Sequence, residues 1–269
     1  NTNNPFWMTN RLVLFPESTR VRDDSLFIAG HALASLSAEN GTPLYVYDRS
    51  TLDLAVTEYK SALRAYYPGE SHITYAGKAF LCKAIAAWTK THNLIVDCTG
   101  EGEIGIAVAG GVLREKILVH GVNKSLADLQ AAIQHAGTIV VDNLTELKNV
   151  VTTLVVSQAT EVATTPNIWL RLLPGVAVHT HHAATQTGQH DSKFGMTREE
   201  ILEAAKFCKE HDLPLKGIHF HQGSNFRDPE PLIPAIDMAL DIAKEIGFAG
   251  DWHFCPGGGW GVAYHEDEL

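Results

Sequence analysis

A handful of short stretches in this 269-residue chain carry side chains able to do chemistry. Tyr75-Ala76-Gly77-Lys78 places a lysine just past a strand-like run. A lysine partly shielded from water is a nucleophile toward an aldehyde; on open surface it is only a solubilising charge. Asp97-Cys98-Thr99-Gly100-Glu101-Gly102-Glu103 follows the next apolar run with acids and glycines, and reads equally well as an ordinary strand-to-helix turn. His120-Gly121-Val122-Asn123-Lys124-Ser125 has the same place after the run that follows, with a capped turn as its plain reading. Arg171 lies in an apolar segment that ends Leu172-Leu173-Pro174-Gly175. A buried guanidinium needs anionic partners, and Asp97 and Glu103 are candidates. In His219-Phe220-His221-Gln222-Gly223-Ser224 two histidines two residues apart share one face of a strand. They can bind a metal, or one can lie on a flat ring while Ser224 donates to a phosphate. Cys255-Pro256-Gly257-Gly258-Gly259 supplies glycines whose backbone N–H groups can close on a phosphate.

The elements that must position these groups alternate along the chain. Strands are expected at Leu44–Tyr47, His72–Ala76, Leu94–Asp97, Ile117–His120, Thr138–Asp142, Asn167–Leu172, Lys216–His221 and Asp251–Cys255. Helical spacing of apolar residues lies between most of them, over Thr51–Tyr66, Ala79–Thr91, Ser125–His135, Thr145–Val156, Thr197–Glu210 and Pro231–Ile246. Ser125 followed three residues later by Asp128 has the form of a capping box. Strand–helix alternation with continuously apolar strands implies a parallel sheet covered on both faces. Counting from His72 there are seven strand–helix steps, where a (β/α)8 barrel needs eight. The glycine turn that opens a doubly wound sheet is absent after the first strand. The chain therefore reads as a TIM-type α/β barrel over residues 46–269. Residues 1–45 fall outside the alternation, with short strands expected at Asn10–Pro16 and Ser25–Ile28 contributing to a small β-domain. Polar groups at the strand ends then share the barrel face where active sites sit. A lysine, a ring-stacking histidine, a serine and a glycine nest on that face are what a barrel needs to hold pyridoxal 5'-phosphate (PLP).

The ordered set YAGK, DCTGEGE, HGVNKS, VDNLTEL, LRLLPG, DSKFG, HFHQGS and GGGWG resembles the fold-type III PLP-dependent decarboxylases. That family includes the diaminopimelate, ornithine and arginine enzymes and has the alanine racemase/ornithine decarboxylase type of barrel. The likeness runs from about Gly41 to Tyr264 and is greatest to the diaminopimelate decarboxylases, above all in the loop from His179-Thr180-His181 through Thr187-Gly188 to Ser192-Lys193-Phe194-Gly195. The resemblance implies that Lys78 holds PLP covalently and that His221 stacks on its ring. Ser224, Gly257, Gly258 and Gly259 would bind the phosphate, and Asp97, Glu103, Arg171 and Lys193 would form a charge network around the lysine. It implies decarboxylation of meso-diaminopimelate to L-lysine, with another basic amino acid or a non-catalytic role as alternatives. Val122, Leu173 and Gln222 stand where asparagine, asparagine and isoleucine are usual, and Gly100-Glu101 where serine and glycine are. These changes bear on substrate rather than on PLP contacts.

Family members continue past the glycine nest. They add an eighth strand, with a glutamate for the pyridine nitrogen, and a C-terminal β-domain with a catalytic cysteine for which Cys255 is misplaced. On this reading the barrel is truncated before its last strand and its C-terminal β-domain. The stretch alone is expected to be poorly stable and inactive, with activity in a longer homodimeric chain. A formal charge of −10 without a basic run disfavours nucleic acid and acidic membranes as partners. Four scattered cysteines without a C-x-x-C pair suit a reducing, cytoplasmic setting and give neither a zinc ribbon nor a disulfide scaffold. Asn1–Met8 does not read as a signal peptide. A metal-dependent barrel hydrolase would call for histidines on the first barrel strand, where Lys78 stands instead, and no metal is expected.

Overall fold

A computed structural model describes residues 12–158, 164–175, 192–248 and 250–268. Packing divides the chain into two units: residues up to Ile73 together with those from Val262 onward, and Thr74–Gly261. The helix at 49–66, placed above with the barrel, groups with the first unit.

In that first unit β1 (Arg20–Arg22), β2 (Ser25–Ile28) and β3 (His31–Ala32) form an antiparallel meander. Asp23 and Asp24 both have positive φ, 47° and 55°, the mirror-image turn whose twist suits a two-residue hairpin. α1 (Leu33–Asn40) and α2 (Arg49–Tyr66) follow. Two expectations fail here. Leu12–Leu14 is a 3-10 turn rather than a strand, closed by the Phe15 N–H on Leu12 O ahead of Pro16, which has no N–H to give a ladder. Leu44–Tyr47 forms no strand, and all four side chains are exposed. Strand-favouring residues become a strand only where a neighbour pairs with them.

The second unit carries β4 (Thr74–Ala76), α3 (Lys83–Thr91), β5 (Ile95–Cys98), α4 (Glu101–Ala109), β6 (Ile117–His120), α5 (Leu126–His135), β7 (Thr138–Val141), α6 (Leu144–Gln158), β8 (Asn167–Arg171), α7 (Arg198–Glu210), β9 (Leu215–His219), α8 (Leu232–Ile246) and β10 (His253–Cys255). Its seven strands are parallel and lie side by side in chain order from β4 to β10. A doubly wound sheet reverses its order at a switch point. None occurs here, so the sheet is the seven-strand part of a TIM-type barrel.

Each strand sends alternate residues to opposite faces. Val96, Val119, Ile139, Val141, Ile168, Leu170 and Ile218 join helix residues such as Ile104, Leu129, Ile133, Leu147, Ile201 and Ile242 in one continuous buried layer. Full burial of each such side chain stabilises by about 1.5–3 kcal/mol. The opposite set, Leu118, Val140 and Trp169 with Ile95 and Cys255, forms a separate inner cluster. Gly217 belongs to this inner face. A β-carbon there would lie 2.8 Å from two indole carbons of Trp169, so its smallness makes room for the large neighbour.

Helix starts follow local chemistry. Ser125 and Asp128 form the expected capping box on α5, and Thr197 with Glu200 forms another on α7. α4 was hidden in the sequence by Gly102 and Gly105, which weaken helices. Its first turn carries Glu101 and Glu103, favourable at the positive end of the helix dipole. The free Glu101 N–H donates to Asp128 Oδ1 at 2.8 Å, so one carboxylate caps both α4 and α5. Among the described residues no helix is long and apolar enough to cross a membrane.

Candidate active site

Continuing two residues along each inner-face position replaces the apolar layer with a charged one. Ile95 leads to Asp97, Leu118 to His120, Val140 to Asp142, Trp169 to Arg171 and Gly217 to His219. Period-two alternation thus brings two carboxylates, two histidines and an arginine together at the C-terminal ends of five neighbouring strands.

Lys78 follows β4 on the short 3-10 turn Gly77–Ala79. Gly77 is needed beside it: a β-carbon would fall 2.7 Å from the carbonyl oxygen of Asp97 and 3.3 Å from Glu103 Oε2. Lys78 itself is exposed, and its charge is felt by Asp97, His120, His219 and His221. Asp97 is pushed up to about 7, chiefly by burial and against the pull of Lys78. Its Oδ2 lies 3.6 Å from His120 Nδ1. The His120 ring packs edge-on to His219, centroids 4.3 Å apart. Both imidazoles are held well below the usual histidine value, first by burial and then by neighbouring charges, led by Arg171 and Lys124 at His120 and by His120 and Arg171 at His219, with Lys78 adding to both. Asp97 Oδ1, His120 Nε2 and His219 Nδ1 are buried without a hydrogen-bond partner among the described residues.

Glu103 reaches back from α4 to accept from the Thr99 N–H at 2.7 Å and the Thr99 hydroxyl at 2.9 Å. It stays beside Lys78 through Gly77 but does not meet Arg171. The direct partner of Arg171 is Asp142, at 3.0 Å, rather than Asp97 or Glu103; Asp97 senses the guanidinium only as a field. Asp142 Oδ1 also accepts from the Gly195 N–H at 3.3 Å. Arg171 lies over the Phe194 ring at 4.5 Å, and Lys193 over the same ring at 5.1 Å. The motif running from His179 to Gly188 lies outside the described residues.

The phosphate candidates come from the ends of β9 and β10. Beyond the strands the two segments stay side by side, with Phe220 N–H on Cys255 O, Phe226 N–H on Gly259 O and Gly261 N–H on Phe226 O. Gly257 and Gly259 have φ of 78° and 107°, a region open to glycine. A β-carbon would lie 2.6 Å from Phe220 O at Gly257 and 2.0 Å from Gly223 O at Gly259, and 3.0 Å and 3.2 Å respectively from the His221 ring. At Gly258 it would meet nothing within 4 Å. Two glycines therefore seat the segment against His221, and the third faces open space. His221 is brought down to about 4 by burial, Lys78 and Arg171, offset by a hydrogen bond with the Gly258 backbone. Its ring is neutral and flat at neutral pH. Ser224 is half-buried just beyond it. Among the described residues no group of three His, Cys, Asp or Glu converges on a metal-sized position.

Sequence reasoning assigned no site role to Asp142, Glu146, His120 or Lys124, although the last two lie in a stretch it singled out, with a capped turn as the plain reading. The Lys124 ammonium donates to Gly121 O and Val140 O, both at 2.8 Å, and to Glu146 Oε1 at 2.6 Å, tying the ends of β6 and β7 together. The signal that finds the inner-face residues is the step of two from the apolar inner layer, which runs of aliphatic residues on both faces obscure.

The chain is 34% identical over 219 residues to diaminopimelate decarboxylase of Synechocystis sp., covering 78% of this chain and 45% of that protein. It is 33% identical over 254 residues to the Bacillus subtilis enzyme of that name, covering 90% and 55%. It thus spans about half the length of these curated relatives. Diaminopimelate decarboxylase from Helicobacter pylori complexed with L-lysine superposes with a TM-score of 0.76 at 31% identity, over 86% of this chain and 57% of that one. The M. jannaschii enzyme in co-complex with L-lysine gives 0.81 at 28% identity, over 94% and 59%. The family model described as "Pyridoxal-dependent decarboxylase, pyridoxal binding domain" matches residues 52–269, most of the chain and every strand of its barrel. By that match this chain belongs to the pyridoxal-dependent decarboxylase family.

Proposed function

We propose that this chain forms the PLP-binding barrel of a diaminopimelate decarboxylase, which converts meso-diaminopimelate to L-lysine and CO2 as a cytoplasmic homodimer in its complete form. The observation that carries the reading is the convergence of Lys78, the neutral His221 ring and the Gly257–Gly259 segment on one face of the barrel. The relatives with L-lysine bound favour diaminopimelate over other basic amino acids.

The residues present fit PLP. At Gly258 a β-carbon has open space, so the backbone borders room for a phosphate, while Gly257 and Gly259 admit no side chain. His221 stands against this segment with an uncharged ring suited to lie on a pyridine face. Lys78 would hold the cofactor covalently, and its side chain is open to solvent. Ser224 and the Gly257–Gly259 N–H groups would take the phosphate. PLP bound there would supply an electron sink for loss of CO2. Glu103, and Asp97 above about pH 7, carry negative charge toward the Lys78 ammonium when the amine is free. The buried Arg171–Asp142 pair holds the far wall through Phe194, with Lys193 at its rim.

Incubation with PLP, borohydride reduction and peptide mass mapping tests this reading. A pyridoxyl mass on the peptide containing Lys78 is expected. A label elsewhere, or none, overturns it. L-Lysine and meso-diaminopimelate added before reduction should release the label more readily than ornithine does; a preference for ornithine would move the substrate to another basic amino acid.

A further inference from the structure

Three buried polar atoms of the inner-face layer, Asp97 Oδ1 on β5, His120 Nε2 on β6 and His219 Nδ1 on β9, have no hydrogen-bond partner among the described residues. Buried polar groups without a partner are costly and rare. Here all three groups feel the charge of Lys78, the residue on which the proposed chemistry turns. His120 Nδ1 lies 3.6 Å from Asp97 Oδ2, just beyond hydrogen-bond distance. His219 packs across the ring. The loop carrying His120 is tied down by Lys124, which holds the Gly121 carbonyl beside it.

We propose that His120 is a positioning residue: its imidazole turns an Nδ1–H toward Asp97 and favours the ionised form of that carboxyl, whose charge acts on Lys78. The inference rests on Lys78 being the PLP-bearing residue. The charged and titratable groups around the pair are Lys78 after β4, Glu103 on α4, Lys124 after β6, Asp142 and Glu146 beyond β7, Arg171 on β8, and His219 and His221 at the end of β9. The surrounding cations keep His120 uncharged, so it serves Asp97 as a hydrogen-bond donor and not as a counter-ion. Without that donor Asp97 takes up a proton at higher pH, and the negative charge opposite Lys78 is lost. A neutral amine, the form that reacts with an aldehyde, then persists to lower pH.

The test reads the pH at which PLP and borohydride label half of Lys78, in the full 269-residue chain. His120→Phe should lower that midpoint by about one pH unit, the size of effect expected for losing a nearby opposite charge. His120→Asn, which keeps an N–H donor, should restore more than half of the difference. Asp97→Asn should shift the midpoint as His120→Phe does, and the double variant should shift no further. An unmoved midpoint in His120→Phe, or an equal extra shift in the Asp97→Asn background, overturns the proposal. Nitrogen-15 NMR of the unsubstituted, PLP-free chain at pH 7 decides the matter even where a variant fails to fold. A protonated Nδ1 and bare Nε2 on His120 are expected, and a bare Nδ1 overturns it. Absence of label on Lys78 in the unsubstituted chain at every pH would sink the PLP reading itself, while the NMR result still judges the His120–Asp97 contact.

Discussion

Lys124 Nζ lies 2.6 Å from Glu146 Oε1, with the lysine side chain wholly shielded from solvent and the glutamate 5% exposed. Three acceptors take up the ammonium, so the charge is fully satisfied inside the barrel wall. Removing one partner leaves the other buried and uncompensated. Lys124→Met is expected to cost about 3–5 kcal/mol of unfolding free energy. Lys124→Met with Glu146→Leu should recover most of it, since an apolar pair replaces a buried ion pair at little loss. Urea unfolding of the single and double variants measures both.

Asp97 gives stability a pH dependence of definite sign. Its carboxyl is raised from 3.8 to about 7 in the folded chain, so the folded state binds the proton more tightly than the unfolded one. The stability it contributes is present below about pH 4 and is lost as pH rises toward 7. Asp97→Asn keeps the shape without the charge. Its stability relative to the unsubstituted chain should rise across that window, by on the order of 3 kcal/mol in all, and level off above it. Denaturant unfolding from pH 4 to pH 8 reads the difference. A flat difference would mean that the carboxyl titrates normally.

The buried histidines act in the opposite sense. His219 is held well below its ordinary value of 6.5, so its contribution is present above that value and falls as pH drops below it. His219→Gln should remove this dependence. Between pH 6.5 and 5 the unsubstituted chain should lose up to about 1.4 kcal/mol per pH unit more than the variant. Thermal melts at matched pH values measure it.

The glycine segment separates folding from ligand binding. Gly259→Ala forces a β-carbon to 2.0 Å from Gly223 O at a φ of 107°, so loss of folded protein is expected by circular dichroism. Gly258→Ala meets open space and should fold as the parent does. If that space takes the phosphate, the variant should bind PLP about tenfold more weakly, the loss expected for one charge-assisted hydrogen bond. Titration of PLP by fluorescence distinguishes this from unchanged affinity.

Much of the barrel was legible because its strands are bounded by glycines, helix caps and periodic helices. Ile117–His120 matches in full, and Ser125 with Asp128 forms the expected box. What stayed hidden has a physical cause in each case. α4 contains two glycines, whose intrinsic cost is met by the acidic first turn and the Asp128 cap. Leu44–Tyr47 has the composition of a strand but no ladder. Arg171 announced a need for anions, yet sequence distance gave no reason to prefer Asp142, which is aligned with it only by strand register. Lys78, His221 and the glycines were visible as types at strand ends, whereas the histidine layer between them emerges only when inner and outer faces are told apart.

Asp128 caps its own helix and the helix before it with a single carboxylate. The turn that carries Thr99 and Glu103 and the turn that carries Lys124 and Ser125 are therefore fastened at one point. Each is bonded to the same carboxylate, so these two rims of the site are coupled as one unit of local unfolding. Their amide protons should exchange with solvent at a common rate, set by that shared latch rather than by either loop alone.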